Sequence, residues 1–166
     1  MTAADTRREI VDVADRLFYE HGFEATSFAH IAAAVGLSRG NFYYHFKSKD
    51  DILAAVITLR LAHTQAMLAA WAADGGTPQD RIRSFIHILL ANRAKIMLHG
   101  CPVGTLCNEL SKLEHAAKDD AARLFLLFRD WLAAQFRDLG RGADADTLAL
   151  HLLARPQISA PQLLLG

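Results

Sequence analysis

The residues best suited to bind a polyanion lie in one segment near the N-terminus. Arg39 and Asn41 stand two positions apart at the start of a predicted helix, and these side-chain types form paired hydrogen bonds with guanine and adenine edges. Lys47 and Lys49 follow, where they can neutralise phosphates. Residues 25–49 contain no acidic residue, whereas residues 1–24 carry six acids against three bases. The chain as a whole is neutral, so this local basic segment indicates double-stranded DNA as a partner more directly than net charge does.

Two short predicted helices position these side chains. Ser27 is a candidate N-cap for a helix over residues 28–35, and Gly36 can end it with a positive φ. Ser38 can cap a second helix that runs to about Phe46. Phe42 and Phe46 are four residues apart and share one face, so we expect both to be buried beneath the second helix. The pattern predicts a helix-turn-helix whose second helix enters the major groove.

The remaining sequence has helical periodicity and no convincing strand pattern, which predicts an all-α fold of about eight helices. Helices are predicted over residues 6–21, 28–35, 39–46, 49–73, 78–98 and 115–139. A shorter helix follows the turn at residues 99–102 and ends at about residue 113, and a last helix runs from about residue 144 until Pro156 stops it. We divide the chain into a three-helix DNA-binding domain, residues 1–54, and a helical-bundle regulatory domain, residues 55–166.

A longer motif makes the assignment more specific. Residues 28–53, and above all the run Phe42-Tyr43-Tyr44-His45-Phe46-Lys47-Ser48-Lys49, resemble the DNA-binding domain of the TetR/AcrR family of bacterial regulators, and the close match covers roughly residues 6–54. The resemblance implies base contacts from Arg39, Gly40, Asn41 and Tyr43 and phosphate contacts from Ser27, Tyr44, His45 and Lys49. We add Ser38 and Lys47 to this DNA-binding set because they flank the recognition helix. The alternatives are that the charged residues are only solvated and that Tyr44 is a packing residue.

The resemblance also implies what the second half does. It implies a regulator, commonly a repressor, that binds a palindromic operator as a homodimer and is released by a small apolar or electrophilic effector. The polar N-terminus separately leads us to expect a cytoplasmic location. Apolar and sulfur-containing side chains of this half could line the effector pocket, although each could equally fill an ordinary core. The candidates are Met67, Trp71, Phe85, Met97, Cys101, Phe125 and Phe128.

Cys101 has a second possible role. It precedes a predicted helix and lies two residues from His99, and unpaired helix amides favour a thiolate. The resemblance extends to family members with a Gly-Cys turn here, some of which sense electrophiles or oxidants. Cys101 is therefore either a thiol sensor or a small buried residue in a tight turn, and Cys107 is predicted to be a core residue.

Several other classes are excluded or weakened. The sequence lacks hydrolase, metalloprotease and phosphate-loop motifs, so we expect neither an enzyme nor a metal or cofactor. The N-terminus is polar, and Arg60 interrupts the longest apolar run, so we expect no membrane association. Family members usually end with two long helices, so the sequence predicts a shortened C-terminus with Leu148, Leu152 and Leu163 to Leu165 exposed. The alternative function is a helical ligand-binding or protein-binding module that has lost DNA binding or dimerisation.

Overall fold

The computed structural model describes residues 2–154, and this part of the chain contains nine α-helices and no strand. The helices are α1 (Ala3–His21), α2 (Phe28–Val35), α3 (Arg39–His45), α4 (Lys49–Ala73), α5 (Pro78–Ala91), α6 (Arg93–His99), α7 (Pro102–Lys112), α8 (Lys118–Asp138) and α9 (Ala145–Ala154). The all-α prediction is confirmed. The bounds of α2 and α4 agree with the sequence patterns because Ser27 and Ser48 each cap a helix as expected.

Three predicted boundaries were wrong for local reasons. The helix predicted over residues 78–98 is two helices, because the Asn92 side-chain amide donates to the Ile88 carbonyl at 2.8 Å and ends α5. The first helix begins at Ala3 because Thr2 and Asp5 form a capping box. The helix predicted from residue 115 begins at Lys118, since the His115 ring accepts a hydrogen bond from the Ala117 amide.

Buried apolar side chains form two clusters. The first contains side chains from each of the helices α1, α2, α3 and α4, and it also includes Leu106 and Leu110 of α7. The second joins α5, α8 and α9 around Phe85 and Leu132, with Trp71 from the end of α4 packed against it. Helix α4 therefore connects the two clusters. The first cluster draws side chains from both sides of residue 54, so the core is continuous across the predicted domain boundary.

Helix α4 is, within residues 2–154, the one helix long and apolar enough to cross a membrane by length and composition. Its first half is instead buried against α1, with Ile52, Leu53 and Val56 fully enclosed. Arg60, in the middle of the helix, forms an ion pair with Asp15. These contacts are those of a core helix in a folded bundle.

The prediction of exposed C-terminal leucines is corrected in part. Leu148 and Leu152 are partly buried, and Leu152 packs against the second cluster because α9 lies along α8. Pro156 and Leu163 to Leu165 lie outside the described residues.

Candidate nucleic-acid interface and internal cavity

The recognition helix α3 is held to the protein by its aromatic face. Phe42 is fully buried, and its ring meets the Phe28 ring of α2 edge-on with centroids 4.6 Å apart. Phe46, just after α3, is also buried. The predicted burial of this pair is confirmed. It fixes which side of the short helix α3 points outward.

The outward side carries the predicted base-reading residues. Arg39, Gly40 and Asn41 are exposed, and the Arg39 guanidinium lies 5.7 Å from the centre of the Tyr43 ring. Tyr43 is partly exposed because its ring packs on Phe28 with centroids 4.8 Å apart. Within residues 2–154, the Asn41 amide side chain and the Tyr43 hydroxyl have no hydrogen-bond partner, so both can bond to an incoming molecule.

Ser27 and Ser38 flank this face, and each acts as a helix cap. The Ser27 hydroxyl oxygen accepts from the His30 amide at 3.0 Å, and the Ser38 oxygen accepts from the Asn41 amide at 3.4 Å. A hydroxyl that accepts in this way keeps its own O–H free to donate. Both residues can therefore donate to a phosphate while they cap α2 and α3. His30 is exposed, and its ring completes the α2 capping box.

The cationic and aromatic residues at the end of α3 differ in how free they are. Tyr44 is 73% exposed, so it is a surface residue and not a packing residue, and its ring touches the half-buried His45 ring at 5.1 Å. Lys47 is exposed and donates to the Tyr43 carbonyl at 2.6 Å. Lys49 is half-buried, and its ammonium donates to the Phe23 carbonyl at 2.8 Å and lies 4.1 Å from the centre of the Phe23 ring; its phosphate contact stays a prediction.

Sequence reasoning missed Arg7. Its guanidinium lies 4.5 Å from the centre of the Phe46 ring, next to the end of α3, and the side chain is exposed. The pair Arg7 and Arg8 was visible in the sequence, but the excess of acids in residues 1–24 hid it. Only the packing of α1 on the segment after α3 shows that Arg7 adds a cation to this surface.

A cavity of about 620 Å³ lies where α1 meets the regulatory half, between α1, α4 and helices α5 to α9. Five of the seven predicted pocket residues line it: Met67, Phe85, Cys101, Phe125 and Phe128. Two predictions are corrected. Trp71 packs on Trp131, with centroids 5.6 Å apart, in the second cluster. Met97 faces outward on α6 and is 57% exposed.

Polar residues of the cavity wall come from elements that the sequence could not bring together. Arg60 of α4 donates to Asp15 of α1 at 2.6 Å and to the Pro102 carbonyl at 2.8 Å. Tyr19 of α1 donates to the Gly100 carbonyl at 2.9 Å, and burial raises the pKa of its hydroxyl. The turn before α7 is thus bound to α1 on one side of Cys101, through Gly100, and to α4 on the other side, through Pro102.

The two cysteines have different surroundings. Cys101 is the N-cap residue of α7, as its sequence position predicted, and lines the cavity. Cys107 donates to the Ala121 carbonyl at 3.2 Å, and burial, with a smaller contribution from nearby Cys101, raises the pKa of its thiol. Cys107 is therefore a packing residue. Residues 2–154 contain no group of three or more His, Cys, Asp or Glu side chains that could hold a metal ion.

The fold and site define a helix-turn-helix protein whose recognition helix is exposed and whose remaining helices, together with α1, line an open cavity. Residues 10–56 match the family model described as "Bacterial regulatory proteins, tetR family", so this segment is a TetR-family DNA-binding domain. It is 37% identical over 89 residues to the transcriptional regulator AcrR of Shigella flexneri, which covers 52% of this chain and 41% of AcrR. It is 25% identical over 125 residues to the transcriptional repressor DhaR of a Mycobacterium species, which covers 75% of this chain and 62% of DhaR.

Solved structures show the same fold over nearly the whole chain. A TetR-family regulator from Agrobacterium tumefaciens superposes with a TM-score of 0.80 at 21% identity, covering 92% of this chain and 84% of that one. The reduced form of NemR from E. coli gives 0.75 at 18% identity, covering 92% and 86%. The chain spans less than two thirds of the length of the curated relatives it first matches. These relatives are transcriptional regulators and not enzymes.

Proposed function

We propose that the protein is a ligand-responsive transcriptional repressor that binds a palindromic operator as a homodimer and acts in the cytoplasm. The observation that carries this proposal is the outward face of α3, where Arg39, Asn41 and Tyr43 are exposed above the buried Phe42 and Phe46. The TetR-family match of residues 10–56 supports it.

The contacts divide into reading and positioning groups. Arg39 and Asn41 bond to base edges, Gly40 allows the helix backbone to approach the groove, and Tyr43 supplies a ring and a hydroxyl at the same edge. The remaining members contact phosphates. These are Ser27, Ser38, Tyr44, His45, Lys47 and the newly identified Arg7. We leave Lys49 out of the phosphate-contact group, because its ammonium already donates to two backbone carbonyl groups.

A homodimer would form through the C-terminal helices. Helix α9 packs along α8, and each presents an exposed leucine, Leu126 on α8 and Leu150 on α9. A second copy that covers both leucines would remove their apolar surface from water. The dimer must place its two recognition helices about 34–36 Å apart to enter successive major grooves.

The effector would bind in the cavity. Its volume lies within the usual range of small-molecule sites, roughly 300–1,000 Å³, and aromatic and aliphatic side chains line much of it. An apolar ligand would sit among Met67, Phe85 and Phe128. An electrophilic ligand would react with Cys101, which lies on the wall between Gly100 and Pro102. Either event would act on the turn that Tyr19 and Arg60 hold, and would weaken operator binding by changing the position of α1.

The testing experiment is selection of bound sequences from a random DNA pool. The wild-type protein should enrich a palindromic site, and Arg39→Ala combined with Tyr43→Ala should lose it while it keeps its fold by circular dichroism. Arg93→Ala is the matched control, because Arg93 is an exposed α6 arginine outside the proposed interface. Loss of the site in this control as well would mean that only net charge drives binding.

The second candidate function is a helical ligand-binding or protein-binding module without DNA binding or dimerisation. The cavity, which exists independently of α3, is the observation that favours it. Folded wild-type protein that enriches no DNA sequence but is stabilised by small molecules in a thermal-shift screen would support this alternative over the repressor.

A further inference from the structure

The backbone of two residues just after α1 is hydrogen-bonded by two charged side chains, one to its N–H groups and one to its carbonyl groups. The Glu109 carboxylate of α7 accepts from the Phe23 amide and from the Glu24 amide, each at 2.9 Å and each with a separate oxygen. The Lys49 ammonium donates to the carbonyls of the same two residues, at 2.8 and 3.4 Å. We call residues 23 and 24 the clamped turn. Helix α7 of the regulatory half and the first residue of α4 thus both bind the clamped turn, which belongs to the DNA-binding half.

The surroundings are shaped for this contact. Gly22 has a φ of +89°, and a Cβ built there would lie 3.1 Å from a Glu109 carboxylate oxygen. Any larger residue would therefore be strained and would also crowd the carboxylate. The Phe23 side chain is buried, with the Lys49 ammonium 4.1 Å from its ring centre and the His115 ring 5.1 Å away. Backbone, charge and aromatic contacts converge on the clamped turn.

Three residues separate the clamped turn from α2, the first helix of the helix-turn-helix. Its two amides would otherwise need water or another acceptor, and a carboxylate with one oxygen for each amide fixes both direction and distance. Resting on the repressor function proposed above, we propose that Glu109 is a positioning residue for operator binding. It fixes the orientation of the helix-turn-helix relative to the helical half through the clamped turn.

A fixed orientation has a measurable consequence on DNA. In a dimer, the distance between the two recognition helices determines which half-site spacing is bound. Adding one base pair moves a half-site by about 3.4 Å along the duplex and rotates it by about 34°. A rigidly held DNA-binding half resists this change, whereas a loosely held one follows the displaced half-site. Loss of Glu109 should therefore lower spacing selectivity.

The experiment uses the full chain and the operator obtained by selection, with its spacer unchanged or lengthened by one base pair. The readout is the dissociation constant for the lengthened site divided by the dissociation constant for the unchanged site. Global destabilisation lowers the folded fraction for both sites equally, so a merely structural role would not move this ratio. Glu109→Gln is the main variant, because its amide places a donor against one of the two backbone N–H groups. Asp119→Asn, at an exposed α8 position without a side-chain partner in residues 2–154, is the charge-matched control.

We expect the wild-type and Asp119→Asn ratios to agree, and Glu109→Gln to lower the ratio by about tenfold, the change that the loss of one charge-assisted hydrogen bond supplies. An unchanged ratio in folded Glu109→Gln would overturn the positioning role while leaving the repressor function intact. If Glu109→Gln does not fold, Lys49→Met, which releases the other side of the clamped turn, must lower the ratio instead. A wild-type site with a single half would overturn this inference, since one half-site requires no fixed mutual orientation. Failure of the wild type to bind any site would refute the repressor function itself.

Discussion

Removal of the Arg60 side chain should destabilise the protein more than removal of any exposed arginine. The Arg60 side chain is 13% exposed and bonds to the Asp15 carboxylate and the Pro102 carbonyl. A net contribution of about 1.5–3 kcal/mol is typical of one hydrogen bond to a charged group. Since Asp15 is 34% exposed, water recovers part of its loss. We therefore expect Arg60→Met to cost about 3 kcal/mol, which is about 6–12 °C in Tm for a chain of this length.

The assay is urea unfolding of Arg60→Met, Asp15→Asn and the double variant. The double variant should cost less than the sum of the single variants by about 1–2 kcal/mol, because either change alone leaves a charged partner unpaired. Arg123→Met is the matched control: Arg123 is 65% exposed and pairs with Asp120 at 3.6 Å within α8, so its loss should cost less than about 0.5 kcal/mol. A cost for Arg60→Met as small as that of the control would refute the reasoning, and so would strict additivity in the double variant.

Three further predictions follow from single contacts. Lys47→Ala should make the slope of log affinity against log salt shallower by about 0.9, the value for one phosphate contact, whereas Lys49→Ala should lower affinity without changing the slope; equal slope changes would show that both contact phosphate. Phe42→Ala should cost about 3–5 kcal/mol in urea unfolding, because Phe42 is fully buried; a cost under about 1 kcal/mol would mean that α3 is not anchored there. Iodoacetamide should label Cys101 before Cys107, since burial raises the pKa of the Cys107 thiol; mass spectrometry that finds the reverse order would contradict the assignment of Cys107 to the core.

The local parts of the fold were predictable because their causes are local. Ser27, Gly36 and Ser48 carry signals that act within four residues, and the bounds of α2 and α4 matched them. The break after α5 was missed because Asn92 was judged by helical periodicity alone. Its side chain competes for the Ile88 carbonyl, which is an effect of one hydrogen bond that periodicity does not record.

The residues of the candidate interface were predictable from residue type and motif, but the hydrogen bonds that their side chains make within the protein were not. Lys47 and Lys49 are the same residue type two positions apart, yet Lys47 donates to the nearby Tyr43 carbonyl whereas Lys49 donates to the clamped turn. The two residues of that turn lie 26 and 25 positions before Lys49 in the sequence, so no local pattern could show the contact. The same holds for the cavity: Met97 and Trp71 have the right composition for a pocket, but the rotation of α6 and the packing of α4 on α8 direct them elsewhere.

The long-range contacts share one feature that bears on regulation. Tyr19 binds the Gly100 carbonyl and Arg60 binds the Pro102 carbonyl, so both neighbours of the cavity residue Cys101 are tied to α1 or to its ion-pair partner. Farther along α7, Glu109 holds the clamped turn. Helix α7 is thus linked to α1 and α4 near its first residues and to the clamped turn near its last, so a displacement of its start can reach the clamped turn. A molecule that moves the turn at Cys101 must therefore either break these hydrogen bonds or move the helix-turn-helix with them. By linkage, a bound operator that fixes the helix-turn-helix must oppose the same movement to the same extent.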